Sequence, residues 1–210
     1  VTGADTQVRP QPVIAIDGPA GSGKSTVSRA LAARLGIDRL DTGAMYRAVA
    51  WAALDRAIDP GDREAVATVA RSVEIAVGER VTVDGTDVTE AIRGPVVSAA
   101  VSAVAANPEV RTVLVRRQRE WATEHGGGVI EGRDIGSVVF PGADLKIYLT
   151  ASAEERARRR PEESADAVAR RDRIDSTREI SPLGVAEGAR VIDTTDRPVA
   201  EIVEEVVTWL

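Results

Sequence analysis

Gly18-Pro19-Ala20-Gly21-Ser22-Gly23-Lys24-Ser25 fits the spacing G-x-x-x-x-G-K-[ST], and Thr26 follows it. A stretch of this kind can wrap a phosphate. Successive backbone N–H groups curl around the oxygens only where glycine removes a clashing Cβ or permits positive φ. A helix beginning near Lys24 aims the positive end of its dipole at the same anion. Lys24 then reaches the β- and γ-phosphates, and the Ser25 hydroxyl is a ligand for Mg²⁺. The context agrees. The apolar run Val13-Ile14-Ala15-Ile16 reads as a buried strand before the loop, and Val27, Ala30, Leu31 and Leu35 recur after it at helical spacing until Gly36. By itself the motif predicts binding of a nucleoside triphosphate and leaves the reaction open.

Arginine is the other concentration of chemistry. All but two of the 27 basic residues are arginines, the exceptions being Lys24 and Lys146. A coding bias and solvated helix faces account for most of them. The stretch from Arg156 to Arg178 nevertheless holds eight arginines with few large apolar residues, which predicts a helical flap. Transfer of a γ-phosphoryl group needs positioning and positive charge around its oxygens. The guanidinium fork pairs bidentately with phosphate, and a closing flap excludes water. A guanine-specific switch would need Asn-Lys-x-Asp, and neither lysine follows an asparagine. A motor needs a larger chain. Phosphoryl transfer to a small acceptor is the expectation that remains.

The composition sets the limits. A chain of 210 residues, with 33 acidic and 27 basic side chains and a net charge of −6, suits one soluble globular domain with a small insert. The absence of cysteine excludes disulfides and thiolate metal sites, and a single histidine, His125, leaves no multi-histidine centre or Ser/His/Asp triad. No run of about 18 apolar residues exists to form a transmembrane helix. Val1 to Pro12 is polar without an apolar signal core, so a cytoplasmic location is expected. Net negative charge with one Phe and two Tyr argues against a nucleic-acid partner.

Further elements position this chemistry. A second helix follows Asp41-Thr42, and a third starts after Pro60-Gly61-Asp62. Val73, Ile75 and Val77, then Val81 and Val83, alternate around Gly78-Glu79, which predicts a hairpin with a two-residue loop inside a β-insert. Asn107-Pro108-Glu109 opens a long helix with Val110, Val113, Leu114 and Trp121 inward, stopped by Gly126-Gly127-Gly128 beside His125. Val129-Ile130 and Leu145 to Leu149 read as strands, and Ser152-Ala153-Glu154-Glu155 as a capping box. Val191-Ile192 is a last strand before a closing helix. Strands alternating with helices predict the α/β class, a parallel sheet flanked by helices. The organisation expected is a flexible segment 1–12, core segments 13–72, 107–155 and 179–210, an insert 73–106 and a flap 156–178.

Two stretches are more specific than the phosphate loop: Asp41-Thr42-Gly43-Ala44-Met45-Tyr46-Arg47, and Gly132-Arg133-Asp134-Ile135-Gly136-Ser137-Val138-Val139-Phe140-Pro141. With these, Arg116-Arg117-Gln118-Arg119 and Asp175-Ser176-Thr177-Arg178, the chain resembles the bacterial cytidylate kinases, the (d)CMP kinase branch of the nucleoside monophosphate kinases, along nearly its whole length. The resemblance implies a P-loop core, an NMP-binding insert and an Arg-bearing lid. It also implies a monomer that uses ATP with Mg²⁺ to phosphorylate CMP or dCMP. Carried over residue by residue, it has Gly18 to Thr26 on ATP and Ser25 on the metal. Arg47 and Arg133 hold the acceptor's α-phosphate, Thr42 and Tyr46 belong to the CMP site, and Ser102, Arg111 and Asp134 read cytosine. Arg171 with Asp175 contacts the ribose. Arg158 and Arg178, with Lys24, Arg133 and Arg171, are the catalytic cations. The cytosine assignment is chemically coherent, because a carboxylate accepts from the N4 amino group whereas uracil would set O4 against it. The stretch between Arg160 and Arg170 is shorter than the family's lid. Another P-loop small-molecule kinase, of UMP/CMP or shikimate type, and a non-catalytic nucleotide-binding module remain as alternatives.

Overall fold

The computed structural model describes residues 11–160, 173 and 183–210. The chain enters at β1 (Val13–Asp17), whose alternation sends Ile14 and Ile16 to one face and Ala15 to the other. Then come α1 (Lys24–Leu35), β2 (Arg39–Asp41), α2 (Thr42–Asp55) and α3 (Arg63–Ser72). Three short strands, β3 (Ile75–Val77), β4 (Val81–Val83) and β5 (Thr86–Asp87), lead to a 3-10 turn at Ala91–Arg93 and to α4 (Pro95–Ala106). The second half runs α5 (Pro108–Glu124), β6 (Gly128–Gly132), a π-helical turn (Ile135–Val139), β7 (Leu145–Thr150), α6 (Ala153–Arg158), β8 (Arg190–Asp193) and α7 (Val199–Val207).

Among the described residues, five strands form one parallel sheet in the order β2-β6-β1-β7-β8. The predicted parallel sheet flanked by helices is what the chain builds. Ile14 and Ile16 pack with Val27 and Leu31 of α1 and with Ile202, Val203 and Val206 of α7. On the opposite face Ala15, Leu40 and Ile130 meet α2, α3 and α5 through Met45, Val49, Val66, Val110 and Leu114. Each fully buried Leu or Ile contributes about 1.5–3 kcal/mol. With both faces covered, the loops at the carboxyl ends of β1 and its neighbour β6 are left at one rim, where ligands bind in sheets of this kind.

The helix starts obey the local chemistry. Asp41 Oδ1 accepts from the Ala44 N–H at 3.0 Å, and Asp62 Oδ1 from that of Ala65 at 3.1 Å. Asn107 Oδ1 accepts from Glu109 at 3.1 Å and Ser152 Oγ from Glu155 at 3.2 Å. Each such cap is worth about 1 kcal/mol.

Two local expectations change. Val77 pairs with Val81, so the β3–β4 connection has three residues rather than two. That register sets Ile75 opposite Val83 and keeps the buried valines of β4 on the inner face. The tight two-residue turn lies instead between β4 and β5, at Asp84 (φ 49°) and Gly85 (φ 78°). Asp-Gly there supplies the positive φ that a type I′ turn demands at both positions. The helix α4 also went unmarked in sequence. Its run of Val, Ala and Ser has no polar face to reveal a period, and only Gly94-Pro95 announces its start.

Candidate active site

Between β1 and α1 the glycine-rich loop approaches other backbone closely. Gly18 has φ 150°, and a Cβ there would lie 2.1 Å from the Leu149 carbonyl oxygen. Ser22 is fully buried, and its hydroxyl finds no partner among the described residues, as suits a donor left for an anion inside the loop. Lys24 Nζ donates to the Pro19 carbonyl at 2.7 Å. Lost hydration, and after it the positive charge of Arg133, pull the Lys24 ammonium down to about 7, against the pull of Glu131. An anion would restore the ammonium.

Beneath the loop, the end of β6 carries Glu131, which is 2% exposed. Its Oε2 accepts from Ser25 Oγ at 3.0 Å, and its Oε1 from Ser28 Oγ at 2.9 Å and from Arg39 Nη1 at 2.5 Å. Burial raises its pKa, with the Asp41 charge adding to the rise, while Lys24 and Arg39 oppose it. Thr42 Oγ1 donates to the Glu131 carbonyl at 2.7 Å. Asp17, at the end of β1, accepts from the Ile135 and Gly136 N–H groups and so anchors the π-helical turn. Burial lifts its pKa to about 6 despite those bonds, and the Asp134 charge adds to the rise.

Facing the loop, Arg111 of α5 donates through Nη2 to Asp134 Oδ2, with both side chains nearly enclosed. Among the described residues no donor takes the other carboxylate oxygen. The Arg111 guanidinium lies 5.7 Å from the Tyr46 ring centroid, near enough for a cation–π contact. Arg133 Nη1 donates to the Gly18 carbonyl at 2.6 Å, which joins the G-R-D stretch to the phosphate loop. Arg47 Nη1 donates to the Ile92 carbonyl and to Ser98 Oγ, each at 2.9 Å.

A cleft of about 240 Å³ gathers many of these groups. Of the residues expected from sequence, Ala20, Lys24, Ser25, Thr42, Tyr46, Arg47, Ser102, Arg111, Arg133 and Asp134 line it. Gly18, Pro19, Gly21, Ser22 and Gly23 form the body of the loop beside it, and Thr26 is exposed on α1. Arg158 does not line it: its side chain is 74% exposed and ion-paired to Glu155. Arg171, Asp175 and Arg178 lie outside the described residues, as do most of the expected lid and residues 1–10 of the N-terminal segment. Arg156 of α6 and Arg159 just after it reach the loop instead, donating to the Ala20 and Gly21 carbonyls at 3.3 Å each.

Sequence reasoning passed over Asp17, Arg39, Asp41, Arg93, Glu131 and Arg160. For Glu131 a signal existed, since it abuts G-R-D at a strand end. The others are visible only once the ends of β1 and β2, the insert and the stretch after α6 converge beside β6. A larger hollow of about 720 Å³ runs along the outer face of α5 and contains none of the phosphate loop. No described helix is long and apolar enough to cross a membrane.

Comparisons with known proteins place the chain as a whole. The family model described as cytidylate kinase matches residues 14–210. A protein named cytidylate kinase from Mycolicibacterium paratuberculosis is 51% identical over 209 residues, covering 91% of this chain and 92% of that one. Another of that name from Caldanaerobacter subterraneus is 50% identical over 206 residues, covering 92% of each. A bifunctional pantoate ligase/cytidylate kinase from Synechocystis sp. is 48% identical over 217 residues, covering 93% of this chain but 42% of the longer protein. Among solved structures, a sugar kinase from Janibacter sp. superposes with a TM-score of 0.51 at 15% identity, covering 95% and 94% of the two chains, which is a likeness of fold.

Proposed function

The chain belongs to the cytidylate kinase family, and from that premise we propose that it transfers the γ-phosphoryl group of ATP to CMP or dCMP, giving ADP and CDP or dCDP. One observation carries the reading: a single cleft joins a phosphate-binding loop to a buried arginine–carboxylate pair with an acceptor oxygen to spare.

In this reading ATP phosphates occupy the loop from Gly18 to Thr26, beside Lys24. The acceptor's phosphate meets Arg47 and Arg133, with Thr42 and Tyr46 alongside. Its base meets Ser102, Arg111 and Asp134. The open Asp134 oxygen accepts the cytosine N4 amino group, while Arg111 donates toward N3 and O2. No side-chain base is required, because the attacking CMP oxygen is already anionic. That oxygen bonds to the γ-phosphorus as the bond to the β-bridging oxygen breaks and ADP departs. Lys24 and the arginines stabilise charge on the transferring group. We keep Arg158, Arg171 and Arg178 as candidate catalytic cations of the flap 156–178, and Arg171 with Asp175 as the ribose contact. Segment 73–106 serves as the acceptor-side insert.

The residues around Ser25 fit a divalent cation. Its hydroxyl donates to Glu131, which leaves its oxygen lone pairs available to a cation, and Ser25 lines the cleft. Ser25 would hold the Mg²⁺ of MgATP, which neutralises charge on the phosphate oxygens. We further read the chain as a cytoplasmic monomer, without nucleic-acid or membrane partners, in keeping with its small soluble substrates.

A coupled ADP-release assay across CMP, dCMP, UMP, AMP, GMP, TMP and shikimate tests the proposal. Turnover should be highest with CMP or dCMP. Turnover with another acceptor and none with CMP would show that a different small-molecule kinase had been built on this cleft.

A further inference from the structure

Among the described residues, six cations line the cleft: Lys24, Arg47, Arg93, Arg111, Arg133 and Arg160. Lys24 is held on the Pro19 carbonyl, Arg47 on Ile92 and Ser98, Arg111 on Asp134 and Arg133 on Gly18. Arg160 is likewise engaged. Among the described residues, Arg93 is the one lining cation whose guanidinium no hydrogen bond or ion pair engages.

The backbone beneath it is firmly set. Ile92 is fully buried, and the Arg93 N–H donates to the Glu90 carbonyl at 3.0 Å. The Ile92 carbonyl that Arg47 grips belongs to the peptide bond leading into Arg93. The two arginines therefore rise from neighbouring points of one wall, Arg47 from α2 and Arg93 from the 3-10 turn before α4. Like charges brought to one cavity repel each other, and an anion between them converts that cost into attraction. A phosphate accepts from two guanidinium forks at once.

We propose that Arg93 binds the acceptor's 5′-phosphate, forming with Arg47 a clamp that spans the core and the insert. This rests on the reading of the cleft as a CMP site. It gives the insert a direct grip on the charged part of the acceptor, so the nucleoside without its phosphate gains nothing from Arg93.

The test compares Arg93→Gln and Arg93→Lys with the wild-type chain. Calorimetry reads CMP affinity, ligand-observed NMR reads cytidine affinity, and steady-state kinetics read KM for CMP and for ATP. Loss of one charge-assisted contact predicts a CMP dissociation constant and KM raised about 10- to 100-fold in Arg93→Gln. Arg93→Lys should fall between. Cytidine affinity, KM for ATP and melting temperature should stay as in the wild type, since the side chain is exposed and holds no protein partner among the described residues. Unchanged CMP affinity overturns the inference, and so does an equal loss for CMP and cytidine, which would mean that Arg93 merely shapes the insert. A wild-type chain that neither binds nor phosphorylates CMP overturns the functional reading itself. A wild-type chain that does both, beside an unaffected Arg93→Gln, overturns the inference alone.

Discussion

Asp17 Oδ1 accepts the backbone N–H of Ile135 at 2.7 Å, across 118 positions of sequence, and Oδ2 takes that of Gly136 at 2.8 Å. The end of β1 is thereby fastened to the turn that follows Arg133 and Asp134, and Arg133 returns the tie through the Gly18 carbonyl. The phosphate loop and the Arg133–Asp134 stretch are set in register by one buried carboxylate.

Asp17→Asn tests this tie. Asparagine keeps one acceptor and turns its amide against the second N–H, at a cost of about 1–3 kcal/mol. The pH dependence has a definite sign. Burial raises the Asp17 pKa from 3.8 to about 6, so the folded state holds this proton more tightly than the unfolded state does. The stability of the wild-type chain relative to the Asp17→Asn variant is therefore greatest below about pH 4. It falls by about 3 kcal/mol as pH rises from there through 6. Urea unfolding of both proteins between pH 4 and 8 should show the difference shrinking and then levelling. A flat difference would remove Asp17 as the titrating group.

Burial holds the Lys24 ammonium down at about 7, and bound phosphates should return it toward its usual range. At pH 8, ATP binding should therefore take up close to one proton. Calorimetry in buffers of different ionisation enthalpy measures it, and Lys24→Met should abolish it. Lys24→Ala should lower kcat by about 10²–10³-fold or more.

Asp134 is expected to choose the base. Asp134→Asn places a donor where cytosine offers one and uracil offers O4, so the ratio of kcat/KM for CMP over UMP should drop by two or more orders of magnitude. Asp134→Ala leaves the Arg111 charge enclosed without its partner, and chemical denaturation should record a loss of about 3–5 kcal/mol.

Glu131 orients Ser25. In Glu131→Gln the amide group opposes Ser25 or Ser28, and Arg39 loses its counter-charge. The Mg²⁺ concentration for half-maximal activity should rise about 10- to 100-fold, the usual cost of removing a partner that orients a metal ligand. A Mg²⁺ titration at saturating ATP reads it. An unchanged midpoint would confine Glu131 to a structural role.

Much of this protein was legible in its sequence, because the controlling physics is local. The Gly18–Ser25 spacing, the caps at Asp41, Asp62, Asn107 and Ser152, and the alternation of strands and helices each depend on a few neighbouring residues. From these came the parallel sheet and the phosphate loop, while the resemblance to the cytidylate kinases rested on the Asp41–Arg47 and Gly132–Pro141 stretches. The tertiary structure decided matters of distance. It sent Arg158 to solvent and brought Arg156 and Arg159 to the loop instead, a choice made by which side of α6 and its C-terminal cap meets the protein. It joined Arg39, Ser25 and Ser28 on Glu131, and tied Asp17 to the turn after Asp134. These partners are brought together by the parallel pairing of β1, β2 and β6, whose hydrogen bonds connect residues far apart in sequence. No window of neighbouring residues contains that pairing. The sequence could announce what the phosphate loop binds, but only the folded sheet could determine which charges face one another there.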